Sequence, residues 1–93
     1  MISMFTVVIM GDQLVIDLHG PEPSYRQLAR QLRERIRDGR IGPRDPLPSI
    51  TQLTGETGLA VNTVRHAIAV LVDEGYAYTV PGRGTFATEK LPG

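Results

Sequence analysis

Residues 49–75 constrain the fold more than any other part of this 93-residue chain. Ser49 and Gln52 have the spacing of a capping box at a helix N-terminus, and Gly58 can end the short helix that follows. A second helix is predicted after Ala60, and Gly75 can end it. Its apolar residues recur along one face, at Val64, Ala67, Ile68 and Leu71. Two helices joined by so short a turn containing glycine predict a helix-turn-helix.

A β-hairpin is predicted directly after this motif. Residues 76–80 alternate aromatic and β-branched side chains, residues 81–84 form a Pro-Gly-Arg-Gly turn, and residues 85–88 return as a second strand. A hairpin in this position is the wing of a winged helix. The order of the elements therefore predicts that the wing lies beside the helix-turn-helix.

Another helix precedes the helix-turn-helix. Ser24 and Gln27 again have capping-box spacing, and Gly39 stands where a left-handed residue can end the helix. Its apolar residues recur at helical intervals, at Tyr25, Leu28, Ala29, Leu32 and Ile36. Residues 41–48 contain three prolines and a glycine, which predicts a loop. The expected fold is α+β and mainly α: a winged helix-turn-helix of three helices, a C-terminal hairpin and an N-terminal strand or hairpin.

The N-terminal extension has two possible arrangements. Residues 5–10 and 14–18 are apolar and β-branched, and Gly11 begins a turn signal between them. These two strands can pair within one chain, or residues 5–10 can pair with a second subunit. The predicted organisation is an extension and linker at residues 1–23, the winged helix at residues 24–88, and a tail at residues 89–93.

Composition excludes several classes of site. The chain has no cysteine, so it has no disulfide, thiolate zinc site or cysteine nucleophile. Its two histidines are far apart, no metal-ligand spacing occurs, and residues 82–84 do not form a phosphate-binding loop that opens a helix. We therefore expect no enzyme activity and no cofactor. The longest N-terminal apolar run, residues 5–10, is too short to span a bilayer, which favours a cytoplasmic protein.

The formal net charge is zero, but the charges are unevenly distributed. Residues 1–23 hold three acids and no base, whereas residues 24–88 hold nine arginines against six acids, a net charge of +3. Arginine suits bidentate contacts with phosphate or guanine. A solvated basic face explains the same charges, so charge by itself leaves nucleic-acid binding open.

The chain resembles the DNA-binding domain of the GntR family of bacterial transcriptional regulators over residues 14–87. The matching positions are Tyr25, Leu28, Leu32 and Ile36 in the first helix, Leu47, Pro48 and Ser49 before the second, Asn62, Thr63, Val64, Arg65 and Ala67 in the third, Leu71 and Gly75 at its end, and residues 81–86 in the wing. The resemblance implies a winged helix that binds an operator as a dimer. The chain differs from the family pattern at Thr51 and Val61, where many members have arginine. The expected DNA interface is therefore less basic than in those members.

The resemblance places DNA contacts at the start of the second helix, in the N-terminal half of the third helix and at the wing tip. The candidate contacts are Tyr25, Ser49, Thr51, Val61, Asn62, Thr63, Arg65, His66, Arg83 and Gly84. Asn62 can pair with adenine, Arg65 with guanine, and Val61 can contact a thymine methyl group. Several of these residues also have an explanation that needs no DNA. Ser49 can simply cap its helix, and His66 can be a solvated surface residue.

Further chemistry distinguishes the remaining candidates. Ser49 and Thr51 can each reach a phosphate, and Thr51 can also contact a thymine methyl group. Arg83 lies between two glycines and can enter a narrow minor groove. Thr63 can reach phosphate. Because Ala60 is a poor cap, Asn62 or Thr63 can instead bond the free N–H groups of their own helix N-terminus. Tyr25 can add a phosphate contact.

The sequence therefore predicts a sequence-specific DNA-binding regulator, most simply a repressor, which binds double-stranded operator DNA as a homodimer. About five residues follow the wing, so no small-molecule effector site is evident. Two alternatives stay open: a winged helix that associates with proteins, and a fragment of a longer ligand-responsive regulator.

Overall fold

Three helices precede a two-stranded antiparallel sheet in the computed structural model, which describes residues 14–92. The helices are α1 (Ser24–Arg37), α2 (Ile50–Thr57) and α3 (Val61–Asp73), and the strands are β1 (Ala77–Val80) and β2 (Gly84–Ala87). The predicted winged helix is confirmed. The strand predicted at residues 5–10 lies outside the described residues.

The core lies where α1 and α2 pack against α3. Its largest fully buried side chains are Leu28 and Leu32 from α1, Leu53 from α2, and Val64 and Leu71 from α3. Those of α1 and α3 lie on the apolar faces that the helical periodicity predicts, and burial of a side chain this size contributes about 1.5–3 kcal/mol. Leu53 is the one buried residue of α2, so the position of α2 depends largely on this contact.

Helix α2 has the termini that the sequence predicts. The Ser49 hydroxyl oxygen accepts a hydrogen bond from the Gln52 backbone N–H at 3.0 Å. Gly58 ends the helix at a φ of 75°, and its N–H donates to the Thr54 carbonyl. This conformation costs glycine little because it has no Cβ.

The capping box predicted at Ser24 is wrong. Pro23 is the N-cap of α1, and its carbonyl accepts hydrogen bonds from the backbone N–H groups of Arg26 and Gln27 at 3.0 and 3.1 Å. Ser24 is the first helical residue and makes no capping hydrogen bond. The Gln27 side chain turns instead toward the preceding segment, where it makes three hydrogen bonds.

The strand predicted at residues 14–18 is not formed. Val15 exchanges two hydrogen bonds with the Gln31 amide, at 2.8 and 2.7 Å. Asp17 does the same with the buried Gln27 amide, at 2.7 and 2.8 Å. A side-chain amide offers both a donor and an acceptor, as a strand backbone does. Two glutamines of α1 therefore bind this segment where we expected a neighbouring strand.

The loop between α1 and α2 fixes the wing. The Leu47 N–H donates to the Thr85 carbonyl at 2.9 Å, and the Ala87 N–H donates to the Asp45 carbonyl at 2.8 Å. Pro46 lies opposite Phe86 as an isolated bridge. The proline-rich loop thus runs along β2 and connects the wing to the rest of the fold.

Candidate nucleic-acid interface

The face of α3 that points away from the core carries three of the candidate contacts. Successive helical residues are about 100° apart, so the burial of Val64 and Ala67 leaves Asn62, Arg65 and His66 on the opposite side. All three are exposed. This arrangement presents an amide, a guanidinium and an imidazole along the N-terminal half of one helix.

The N-terminus of α3 has no side-chain cap. Ala60 is the N-cap residue and makes no such hydrogen bond. Within residues 14–92, neither the Asn62 amide nor the Thr63 hydroxyl makes a hydrogen bond, so the structure does not favour a capping role for them. Val61, the first residue of the helix, is 45% exposed. The end of the helix therefore keeps backbone N–H groups and an apolar side chain accessible to a ligand.

The start of α2 and the tip of the wing line one groove of about 530 Å³. Ser49, Arg83 and Gly84 are all among the residues that line it. Gln52 also lines this groove and is exposed, although sequence reasoning treated it only as part of a capping box. Its side chain approaches Glu56 at 3.5 Å, and the box is formed only in its Ser49 half. Thr51, which precedes Gln52 in the sequence, is also exposed.

The wing tip is a tight turn, in which the Arg83 N–H donates to the Val80 carbonyl at 2.9 Å. Gly82 and Gly84 have φ values of 79° and 118°, and a Cβ at either position would meet nothing within 4 Å. Backbone conformation, rather than crowding, therefore requires glycine at both positions. The open space around them leaves the turn accessible, with the exposed Arg83 side chain between them.

Ion pairs divide the arginines into two groups. Arg30 pairs with Glu22 at 2.9 Å and Arg33 pairs with Glu74 at 2.6 Å. The hydrogen bond from Arg30 holds the pKa of Glu22 below its ordinary value. Among the described residues, Arg65 and Arg83 have no carboxylate partner. The positive charge of the two predicted DNA contacts is therefore not neutralised by a neighbouring acid.

The structure brings Tyr25 against α3, which sequence reasoning missed. The rings of Tyr25 and His66 stack with centroids 3.8 Å apart and planes 10° apart. Arg33 of α1 and Glu74, which follows α3, pair at the same sequence separation of 41 residues. The two contacts show that α1 and α3 lie side by side and run in the same direction. No local sequence signal encodes a contact between residues so far apart.

Other kinds of site have little support in the described part of the chain. No group of three or more His, Cys, Asp or Glu side chains in residues 14–92 could hold a metal ion. None of the helices described here has the length and apolar character needed to cross a membrane.

The matches with known proteins agree with this geometry. Residues 24–87 match the family described as bacterial regulatory proteins, gntR family. The chain belongs to the gntR family. YtrA from Sulfolobus acidocaldarius, a GntR-family transcription factor, superimposes with a TM-score of 0.77 and 37% identity, covering 84% of this chain and 82% of that chain. AraR(DBD) in complex with operator ORX1 superimposes with a TM-score of 0.74 and 32% identity, covering 82% of this chain and 98% of that chain.

Among gntR-family sequences, the HTH-type transcriptional repressor NagR of Bacillus subtilis is 39% identical over 74 residues, which are 80% of this chain and 30% of NagR. The chain spans about 30% of the length of NagR and of two other curated relatives that it matches. Residues 24–87 thus form the winged-helix domain of the gntR family of bacterial regulatory proteins. The alternative of a protein-association module is not favoured.

Proposed function

We propose that residues 24–88 bind double-stranded operator DNA sequence-specifically as a homodimer and repress transcription in the cytoplasm. The observation that carries this proposal is the exposed, uncapped N-terminal half of α3, with Arg65 unneutralised by any described acid. The operator complex of AraR(DBD) supports it, because that domain has the same fold at 32% identity. The repressor names of NagR and other relatives support repression.

Helix α3 reads the bases in this proposal. Arg65 pairs with the O6 and N7 atoms of a guanine, and Asn62 pairs with the N6 and N7 atoms of an adenine. Val61 contacts a thymine methyl group, because its side chain is apolar and exposed at the first position of the helix. Thr63 reaches a phosphate beside the free N–H groups at the helix N-terminus.

Helix α2 and the wing hold the DNA backbone. The Ser49 oxygen accepts the capping hydrogen bond, which leaves its hydroxyl proton free to donate to a phosphate. Thr51, two residues further on, contacts a phosphate or a thymine methyl group. Arg83 enters the minor groove, and Gly84 allows the wing backbone to approach closely. We propose no small-molecule effector for residues 24–88, because the groove between α2 and the wing is the surface that DNA would cover.

The test begins with selection of bound sequences from random DNA, followed by fluorescence anisotropy on the selected duplex at several salt concentrations. Binding driven by phosphate contacts must weaken as salt rises. Affinity that does not depend on salt would contradict the proposal. Sedimentation with and without the duplex tests the homodimer, since one chain bound to a palindromic site would rule it out.

Arg65→Ala tests the base contact. We expect it to weaken specific binding by about 1–3 kcal/mol and to relax the preference for guanine at one position. Arg37→Ala is the matched control, because Arg37 is an exposed arginine at the far end of α1. Its twelve-residue distance from Tyr25 corresponds to about 18 Å along the helix. Equal losses for the two variants would indicate general electrostatics rather than base recognition.

A further inference from the structure

His66 is an exposed residue whose ring nevertheless has a fixed neighbour. The Tyr25 ring covers it at 3.8 Å and is nearly parallel to it, at 10°. A solvated histidine on a helix loses side-chain entropy when it binds a ligand. A ring already stacked in the free protein loses less. The stack therefore holds the imidazole in place before any ligand arrives.

Tyr25 is itself held on its other sides. It is half-buried and packs against the core near the N-terminus of α1. The Arg26 Nε donates to the Tyr25 hydroxyl oxygen at 3.2 Å, and the Arg26 guanidinium carbon lies 5.9 Å from the Tyr25 ring centroid. Within residues 14–92, His66 makes no hydrogen bond, so neither ring nitrogen is occupied by a described partner. In every protonation state the imidazole has at least one N–H donor.

The position of His66 on α3 indicates what this donor can reach. At about 100° per residue, His66 lies about 40° from Asn62 around the helix, on the flank that faces α1. A helix about 10–12 Å across nearly fills a major groove about 12 Å wide, so residues on its flanks face the phosphate backbones rather than base edges.

We infer that Tyr25 is a positioning residue that holds the His66 ring so that one ring N–H donates to a phosphate on the backbone beside α1. The inference rests on the proposed function. It changes the role predicted for Tyr25, from a direct phosphate contact to a support for another residue. Because phosphates carry no sequence information, His66 contributes to affinity for any duplex and not to the choice of sequence.

The experiment measures DNA affinity by anisotropy on the selected operator and on an unrelated duplex of equal length. Tyr25→Leu keeps an apolar side chain but removes the flat ring, and Tyr25→Phe keeps the ring but removes the hydroxyl. We expect Tyr25→Leu and His66→Ala each to lower affinity about three- to tenfold on both duplexes. Tyr25→Phe should bind like the unsubstituted protein. The double variant Tyr25→Leu/His66→Ala should lose no more than His66→Ala.

Any one of the following results would overturn the inference. If Tyr25→Phe loses as much as Tyr25→Leu, the hydroxyl is itself the contact. If the losses of the double variant multiply, the two residues act independently. If the losses occur only on the operator, His66 reads a base. Circular dichroism melting of each variant, with binding measured well below its Tm, excludes unfolding as the cause. If the unsubstituted protein binds no DNA, the proposed function fails; if it binds and Tyr25→Leu binds equally, only this inference fails.

Discussion

Substitutions at Ser49 separate its structural role from its proposed contact with DNA. The Ser49 oxygen caps α2 at 3.0 Å, and α2 has only eight residues and one buried side chain. Replacement of a capping serine by alanine costs about 1 kcal/mol. For a domain of this size that change lowers Tm by about 4–8 °C. Ser49→Ala should therefore be clearly less stable than the unsubstituted protein.

Asparagine and aspartate are both good N-cap residues with nearly the same shape, so neither substitution should lower Tm appreciably. They differ in charge, and this difference makes Ser49→Asn the control for Ser49→Asp. A carboxylate about 4 Å from a phosphate is repelled by ~1 kcal/mol in bulk water and by ~4 kcal/mol at an effective dielectric constant of about 20. We therefore expect Ser49→Asp to bind the operator at least about fivefold more weakly than Ser49→Asn.

Thermal melting by circular dichroism and anisotropy at two salt concentrations give the two readouts. The aspartate penalty should shrink as salt rises, because salt screens exposed charges. Equal affinities for Ser49→Asn and Ser49→Asp would show that no phosphate lies near Ser49. An unchanged Tm for Ser49→Ala would show that the cap contributes nothing to stability.

Two further predictions concern stability. Arg44 has a φ of 68°, which costs an L-residue roughly 1–2 kcal/mol, so Arg44→Gly should raise the free energy of unfolding by about 0.5–1 kcal/mol after the entropy of glycine is counted. A lower Tm by circular dichroism would mean that the 3.8 Å ion pair with Glu89 outweighs the strain. The pKa of Glu22 is lowered from 4.5 by Arg30, so this pair stabilises the fold above about pH 4.5 and its contribution is lost as pH falls through the lower folded value. Glu22→Gln should therefore reduce the difference in urea stability between pH 7 and pH 3, and an unchanged difference would contradict the pairing.

Local sequence patterns predicted the helix ends best where the capping residue bonds only to its own helix. The cap at Ser49 and the left-handed Gly58 were both predicted, because their interactions span only a few residues. The same reasoning was wrong at Ser24, where the pattern is equally good. Pro23 takes the N-cap position, and Gln27 makes its hydrogen bonds with Asp17 and Glu22 instead. A local pattern cannot show that a side chain has a better partner elsewhere.

The arginines illustrate the same limit for the candidate interface. Sequence reasoning gave nine arginines against six acids in residues 24–88 but not their pairing. The structure pairs Arg30 with Glu22 and Arg33 with Glu74. Among the described residues, Arg65 and Arg83 have no carboxylate partner. The neutral net charge of the chain does not reveal these two unneutralised positive charges.

The sequence by itself determined the helix-turn-helix and wing, because helical periodicity, short turns and glycine positions are local properties of residues 49–88. Only the tertiary structure decided how α1 meets α3. The stack of Tyr25 on His66 joins residues 41 positions apart, and the glutamine contacts to residues 15 and 17 replace a predicted strand. Such contacts depend on how whole helices pack, since burial of the shared core fixes the relative position of the two faces and thereby selects their polar partners.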